Sequence, residues 1–575
     1  MRLYESKTPV QRTEKNGPFN AWLYCKGKIH LWTATWVLLN ICLSIYFVLK
    51  YKNSPDFTNT RALFGWSFIV ARSAAGMIHV CTIFNLLPLC KVILTKLRNT
   101  FLGKILPFDS GISFHKLVGI ETVFFSLLHT FAHYFNYYKA YKVLNPGKSI
   151  FYVLLVSGPS WTGHIMLVCL FLIMIPALDF YRRKNYNTFW YLHQSFFIYF
   201  FMFSIHGSFC LIKAPSPPYC RPHSSFWKYY FFSGILYVLE LVLREFSSKN
   251  QKNTITKVIL HPSQVIEIQM QKNAIGSYKP GQYVLINVPI VSVTEWHPFT
   301  LTSSPQEDFL SIHVRIVGDW TKKLSKVLGA HNLDLEIPEN IPMPLDSHNS
   351  HFSRSSFSSK RKSRYLDISN VALPDLHVNG PIGSPAQDFS QFNTVVLIAG
   401  GIGVTPFASI LKSLWFQFRF TPSVTPKPRK VYFIWSLKDT TASEWFQYLL
   451  MAIEEEDHNP PLGRGSFENI PLSEKAIDIS IYITKKFQTK EINNLVLHSH
   501  NINSDTITNL RSQTFYGRPN FPTIFSNISR NHPDETIGVF FCGPKIMGKT
   551  IESSAYEITV DNAFKARFKY HEEFF

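Results

Sequence analysis

Polar and apolar positions divide the chain into two unlike halves. Up to about residue 245, apolar and aromatic residues run on for some twenty positions at a time, with polar and basic breaks between. Runs of that length can cross the hydrocarbon core of a bilayer as helices. Six are predicted, at about 29–50, 65–88, 113–138, 153–178, 187–210 and 226–245. After Arg244 the pattern changes to short β-rich runs. TKVILHPSQVIEIQM and GQYVLINVP, with turn residues between them, predict a small antiparallel barrel. From about Asn393 the pattern is strand–helix–strand. VVLIAG reads as a buried parallel-type strand, a glycine turn and a helix opening near Thr405-Pro406 follow, and VYFIW (431–435), ISIYI (479–483) and IGVFFC (537–542) supply further strands.

The expected organisation is therefore an N-terminal segment at 1–28, a membrane helical bundle at 29–246, a barrel domain at 247–390 and an α/β domain at 391–575. Residues 345–364, LDSHNSHFSRSSFSSKRKSR, are Ser-rich and basic with almost no aliphatics, which predicts a flexible insertion. Arg2, Lys7, Arg12, Lys15, Lys26 and Lys28 precede the first run, so no cleavable signal peptide is expected there.

The formal net charge of +20 would suit nucleic acid, but its distribution has another explanation. Lys91, Lys96, Arg98 and Lys104 lie between runs two and three, Arg182, Arg183 and Lys184 between four and five, and Arg244, Lys249 and Lys252 follow run six. With the basic N-terminus these fall on one side of a six-span topology, which the positive-inside rule makes cytosolic. Lys139, Lys142 and Lys148 on the other side moderate the bias. Basic cytosolic loops also attract anionic membrane lipid, and no nucleic-acid partner is expected. The eight cysteines show no zinc spacing. Cys210 and Cys220 share the loop after run five and read equally well as a disulfide or as two thiols.

Four membrane histidines carry the first chemistry. His115 and His129 lie fourteen residues apart in run three; His193 and His206 lie thirteen apart in run five. Neutral imidazole is the usual axial ligand of haem iron. Fourteen helical residues rise ~21 Å, so two such helices can hold two haems stacked across a bilayer. The angles do not match as well as the lengths. At ~100° per residue, fourteen residues return His129 to within ~40° of His115, whereas thirteen leave His206 ~220° from His193. Either run five departs from an ideal helix or its opposite faces serve the two haems. Arg72 in IVARSAAGMIH reads as a snorkelling residue or as an anchor for a haem propionate. His133 follows His129 by one turn and can line the same pocket, and His79 and His164 read as hydrogen-bonded core residues.

The second half carries two nucleotide-type signals. The hydroxyl-rich strand end His297, Pro298, Phe299, Thr300, Leu301, Thr302, Ser303 can hydrogen-bond a flavin ring and its ribityl chain. HVRIVGDWT, His313 to Thr321, adds Arg315 for a pyrophosphate and Trp320 for stacking. Gly400, Gly401 and Gly403 form a turn whose backbone can approach a phosphate, and the helix opening at Thr405, Pro406 and Phe407 turns its N-terminus toward that anion. Cys542, Gly543 and Pro544 end a strand, where open α/β sheets bind ligands. Lys438 and Arg518 read either as solvated cations or as readers of a 2′-phosphate.

The strings FHK…LLHTFAHYF, FWYLHQ…IHG, EWHPFTLTSSPQEDFLSIHVRIVGDWT, GGIGVTPFASILKS, YGRP and FFCGP together resemble the Nox family of NADPH oxidases, within the ferric reductase superfamily, from about residue 29 to Phe575. The resemblance implies six spans, then a ferredoxin-reductase-like flavin barrel and an α/β nucleotide-binding domain. It implies two b-type haems, FAD, and NADPH as electron donor. His115 and His193 would bind the inner haem iron, and His129 and His206 the outer. Arg72 and His133 match positions associated with the outer haem and the oxygen site. His297 to Ser303 would lie at FAD. Gly400 to Phe407, Cys542 to Pro544 and the aromatic Phe575 would lie at the nicotinamide. Gln194, Tyr199 and Lys438 depart from common family residues, and the chain lacks the D-x-D-x-D-G loops of calcium-binding members.

The implied activity is electron transfer from cytosolic NADPH through FAD and both haems to molecular oxygen outside, making superoxide. A ferric-chelate reductase on the same path is the alternative, and a non-catalytic membrane scaffold a third reading that the intact motifs disfavour. The resemblance also implies cytosolic activators, including a Rac-type GTPase, and a small membrane subunit. The expected location is the cell membrane, with internal membranes also open.

Overall fold

The computed structural model describes residues 18–573 except 26, 145–146, 148, 210–225, 251, 273–274, 331–363, 366–372, 421–426, 439, 459–475, 486–504, 506–507, 509 and 562–563. Cys210, Cys220, Phe575 and nearly all of the 345–364 insertion thus lie outside the described residues. The chain forms two compact units, residues 28–243 and residues 244–575 with the segment before 28.

In the first unit three helical segments, Gly27–Asn53, Trp66–Leu89 and Phe108–Val143, are long and apolar enough to cross a membrane. The first turns Leu31, Leu38, Ile41 and Ile45 outward, as a lipid-facing helix does. The second is the buried one: Ala71, Ala74 and Gly76 keep its surface low, so neighbouring helices pack closely. Gly76 leaves no room for a methyl group, because a Cβ there would lie 2.8 Å from the Phe47 ring.

Of the six expected spans, these three segments qualify by length and apolar composition among the described residues. The fourth run is divided. A π-helical turn at Tyr152–Val156 ends at extended Ser157, and Pro159 then opens a shorter helix, Gly158–Met174. The fifth breaks into Tyr186–His193 and Phe196–His206 across a turn at Gln194 and Ser195. The sixth forms Trp227–Asn250, past the expected end at 245. The two glutamates of this unit are both partnered, as low-polarity surroundings require. Glu121 accepts from Trp36 Nε1 at 3.0 and 2.9 Å, and Glu240 accepts from the amides of Val92 and Ile93 at 3.0 and 3.2 Å.

The second unit begins with eight strands: β1 (Lys252–Asn253), β2 (Ile255–His261), β3 (Val265–Gln271), β4 (Tyr283–Asn287), β5 (His297–Thr300), β6 (Phe309–Arg315), β7 (Arg364–Tyr365) and β8 (Leu376–Ile382). They form two antiparallel sheets in the orders β1-β8-β4-β5 and β6-β3-β2-β7, around a core that includes Val258, Ile268, Val284, Leu301 and Ile312. Six parallel strands follow: β9 (Thr394–Gly400), β10 (Lys430–Leu437), β11 (Ile477–Ile483), β12 (Thr514–Tyr516), β13 (Thr536–Cys542) and β14 (Arg567–Glu573). Their order, β12-β11-β10-β9-β13-β14, reverses direction at β9, so β9 and β13 flank a topological switch point.

Candidate redox sites

All four paired membrane histidines have Nδ1 engaged. His115 Nδ1 lies 2.8 Å from the Asn85 carbonyl, His129 Nδ1 2.9 Å from the Ala71 carbonyl, and His193 Nδ1 3.2 Å from the Ile173 carbonyl. A carbonyl only accepts, so Nδ1 carries the proton and Nε2 is the basic nitrogen. His206 Nδ1 meets a side chain instead, Thr162 Oγ1 at 2.7 Å. Thr162 donates its own proton to the Gly158 carbonyl at 2.7 Å, so its oxygen accepts from His206. This tautomer is the one that presents Nε2 to a metal.

The ring centroids of His115 and His193 are 6.3 Å apart. Two opposed metal–imidazole bonds of about 2 Å, with the half-widths of both rings beyond them, span roughly 6 Å. The first pair therefore fits one metal between them. The supports are also in register. Ala71 and Asn85 are fourteen residues apart on one helix, as are His129 and His115 on the next. On the other side, Thr162 and Ile173 are eleven apart while His206 and His193 are thirteen. The two-residue turn at Gln194 and Ser195 absorbs the difference.

His129 and His206 line one cavity together with Arg72, His133, Tyr137 and Phe203. The His133 ring lies 4.4 Å from that of His129. Arg72 lies over the Tyr51 ring at 5.1 Å and reaches its hydroxyl at 3.5 Å, while its Nε is buried with no hydrogen-bond partner. A buried guanidinium with an unmet donor suits an anionic group in the cavity. His164 is satisfied at both nitrogens, by the Ser160 carbonyl at 2.7 Å and Tyr134 Oη at 2.7 Å. His79 stacks on Tyr229 at 3.8 Å and also faces the cavity, with Nδ1 buried and without a hydrogen-bond partner.

In the barrel, the residues of the hydroxyl-rich strand end divide. His297, Pro298 and Phe299 stay accessible or half-buried, and Trp320 stacks near them, 4.2 Å from His297 and 6.0 Å from Phe299. Trp320 Nε1 is buried without a hydrogen-bond partner. Arg315 is exposed at the end of β6. These groups fit a flat aromatic ligand with a phosphate tail. The remaining residues of these two strings are packed within the protein. Thr300 and Leu301 are buried, the latter in the barrel core. Thr302 is bonded to Ser311 Oγ at 2.8 Å and His313 Nδ1 at 2.9 Å. Ser303 Oγ meets Tyr278 Oη at 3.0 Å and the Ser311 amide at 3.1 Å, and its carbonyl accepts from Ser409 at 2.6 Å. These hydroxyls hold the protein together and do not face outward. His313 is enclosed, and burial pushes its pKa down to about 3, leaving a neutral ring. Thr321 caps the helix Asp319–Val327, its Oγ1 accepting from the Gly318 amide at 3.0 Å.

At the parallel sheet the glycine turn and the Cys-Gly-Pro end are in direct contact. Gly401 has φ 58°, a left-handed value natural to glycine. A Cβ on Gly403 would lie 2.3 Å from the Cys542 carbonyl oxygen, and one on Gly400 2.6 Å from Pro544 Cδ. These glycines bring two strand ends together at the switch point. Burial and the nearby Glu573 and Glu572 push the Cys542 thiol well above its ordinary range, so it acts as a small neutral group. Thr405 and Phe407 are buried, Phe407 in the sheet's core, where they shape the helix start.

Lys438 and Arg518 are exposed, just past the ends of β10 and β12, in the row that pairs Leu437 with Ile483 and Ile483 with Tyr516. Two strands apart, they stand roughly 10 Å from each other along the sheet edge. β14 pairs Glu573 with Cys542, and Glu573 Oε1 accepts from the Ala386 amide at 2.7 Å. Ser409, Tyr278 and Glu573 gave no sequence signal, because their partners lie 106, 25 and 187 residues away.

The site and fold define a membrane reductase with flavin and nicotinamide domains. Family models agree: ferric reductase like transmembrane component at residues 80–204, FAD-binding domain at 250–386, and ferric reductase NAD binding domain at 392–556. The chain is 30% identical to NADPH oxidase 1 of Mus musculus, over 100% of this chain and 99% of that protein. It is 32% identical to NADPH oxidase 3 of Rattus norvegicus, covering 94% and 97%. It is 31% identical to a superoxide-generating NADPH oxidase heavy chain of Dictyostelium discoideum, covering 94% and 95%. The chain belongs to the NADPH oxidase family.

Proposed function

We propose that the chain carries electrons across a membrane from NADPH to molecular oxygen, releasing superoxide. One observation carries the reading beyond family membership. Four histidines on facing helices each hold Nδ1 as a donor, in two pairs, which is the arrangement of axial ligands. When bound, NADPH, FAD and two b-type haems supply the chemistry, a hydride transfer followed by single-electron transfers. His115 and His193 hold one haem, and His129 and His206 the other. Arg72 and His133, on the wall of the cavity that His129 and His206 also line, would favour an anionic product.

His297, Pro298, Phe299, Trp320 and Arg315 hold FAD. The Gly400–Gly403 turn, Pro406 at the helix start and Cys542 to Pro544 seat the nicotinamide half of NADPH, while Lys438 and Arg518 meet its 2′-phosphate. Phe575 would cover the flavin ring. Six membrane crossings put residues 247–575 and the basic loops in the cytosol and the second histidine pair at the outer face, in the cell membrane. The domain limits follow as 29–246, 247–390 and 391–575. The proposed partners are a Rac-type GTPase, anionic lipid and a small membrane subunit.

The test is a reduced-minus-oxidised spectrum of the purified chain with quantified haem, together with NADPH-driven oxygen reduction outside sealed vesicles. Two b-type haems per chain and dye reduction abolished by superoxide dismutase are expected. One haem or none, or dye reduction insensitive to the dismutase, refutes the reading.

A further inference from the structure

We propose that His261, Glu267 and His313 form a buried divalent-cation site in the barrel, of the class that takes zinc. The three residues sit on adjacent strands. Glu267 of β3 faces His313 of β6 directly and Ile259 of β2 on its other side. His261, two residues beyond Ile259, projects from the same face and reaches the carboxylate diagonally.

The three ligand atoms lie within 4.8 Å of one another. His261 Nε2 is 3.0 Å and His313 Nε2 3.6 Å from Glu267 Oε2. Donors at 2.0–2.1 Å from a tetrahedral ion are separated by roughly 3.3 Å, between these two values. Two imidazoles and one carboxylate form a donor set typical of zinc with a fourth position for water, and the negative charge offsets part of the ion's.

Two further observations point to a ligand. His313 Nε2 is buried, has no hydrogen-bond partner and faces a carboxylate oxygen, an arrangement that a cation between them resolves. The supporting contacts that metal ligands need are also present. His313 Nδ1 is held by Thr302 at 2.9 Å, Thr302 by Ser311 at 2.8 Å, and Glu267 Oε1 accepts from Gln269 Nε2 at 2.8 Å. The Phe446 ring, 4.6 Å from His313, closes the site on its apolar side. None of these groups is needed to explain electron transfer, and the ion's role is to tie β2, β3 and β6 together.

The experiment uses the full-length chain in detergent with its haem and FAD. The protein is stripped with a chelator, incubated with zinc sulfate, desalted and analysed by elemental mass spectrometry and zinc-edge X-ray absorption. One zinc per chain is expected, with a nitrogen–oxygen shell containing two imidazoles, and a thermal midpoint that rises with added zinc. Glu267→Gln and His261→Gln should each lose the zinc while FAD and haem contents stay unchanged. Should a variant fail to fold, the wild-type stoichiometry and absorption spectrum decide alone. Sub-stoichiometric zinc in the wild type, a shell containing sulfur or lacking two imidazoles, or undiminished zinc in Glu267→Gln overturns the proposal.

Discussion

Thr162→Val gives the sharpest test of the histidine arrangement. Three of the paired histidines rest on backbone carbonyls, which no substitution removes; His206 rests on the hydroxyl of Thr162 at 2.7 Å. Thr162 is fully buried, so valine fills the same space, and the acceptor for His206 is lost together with the donor to the Gly158 carbonyl. The His206 Nδ1–H is then left without that partner in a buried setting, at a cost of about 1–3 kcal/mol. Loss of such a support typically lowers metal affinity 10–100-fold, consistent with that figure at about 1.4 kcal/mol per decade. The assay is competitive haem transfer from the purified chain to excess apomyoglobin, followed spectrally. Half of the haem, the part held by His129 and His206, should leave ten to a hundred times faster than in the wild type, while the His115–His193 half leaves at the wild-type rate. Thr162→Ser should restore wild-type release. Equal acceleration of both halves, or no acceleration, would refute the tautomer argument.

Arg72→Leu should lower superoxide output at least tenfold while haem and flavin contents hold, measured as dismutase-sensitive dye reduction per haem, because the guanidinium lining the cavity beside His129 and His133 is removed. Lys438→Ala combined with Arg518→Ala should raise the KM for NADPH about tenfold or more and leave that for NADH near its starting value, since each charge-assisted contact to a phosphate is worth about 1.5–3 kcal/mol before solvent screening. Gly403→Ala would place a Cβ 2.3 Å from the Cys542 carbonyl oxygen. It should cost about 1–3 kcal/mol in unfolding of the nucleotide domain and slow flavin reduction in stopped flow, with haem content unaffected.

Much of the fold was legible because it follows local rules. The alternation in TKVILHPSQVIEIQM became the β2–β3 pair, and the apolar run VVLIAG became β9 at the centre of the parallel sheet. Run five was half legible. Its thirteen-residue spacing left open a departure from ideal helix or the use of opposite faces, and the structure has a turn at Gln194 and Ser195. The strand end from Thr300 to Ser303 was only partly legible, because hydroxyls look the same in sequence whether they face a ligand or the core. What turns them inward is remote: Ser409 on the Ser303 carbonyl, and Tyr278 and the Ser311 amide on its hydroxyl. The surroundings of His313 were not legible for the same reason, its neighbours Glu267 and His261 being brought to it only by strand pairing.

The matched count of fourteen residues between Ala71 and Asn85 and between His115 and His129 has a consequence for how this chain can vary. Two antiparallel helices each measure the same interval, so the separation of the two metal sites is written twice. A substitution leaves both measures intact. A single inserted or deleted residue in either interval shifts one support by ~1.5 Å and turns it by ~100°, so one imidazole loses its carbonyl. The opposite wall, whose eleven and thirteen are reconciled by a turn, has slack to absorb such a change. Length changes in descendants of this sequence should therefore collect in run five and in the loops, and be absent between residues 71 and 85 and between 115 and 129.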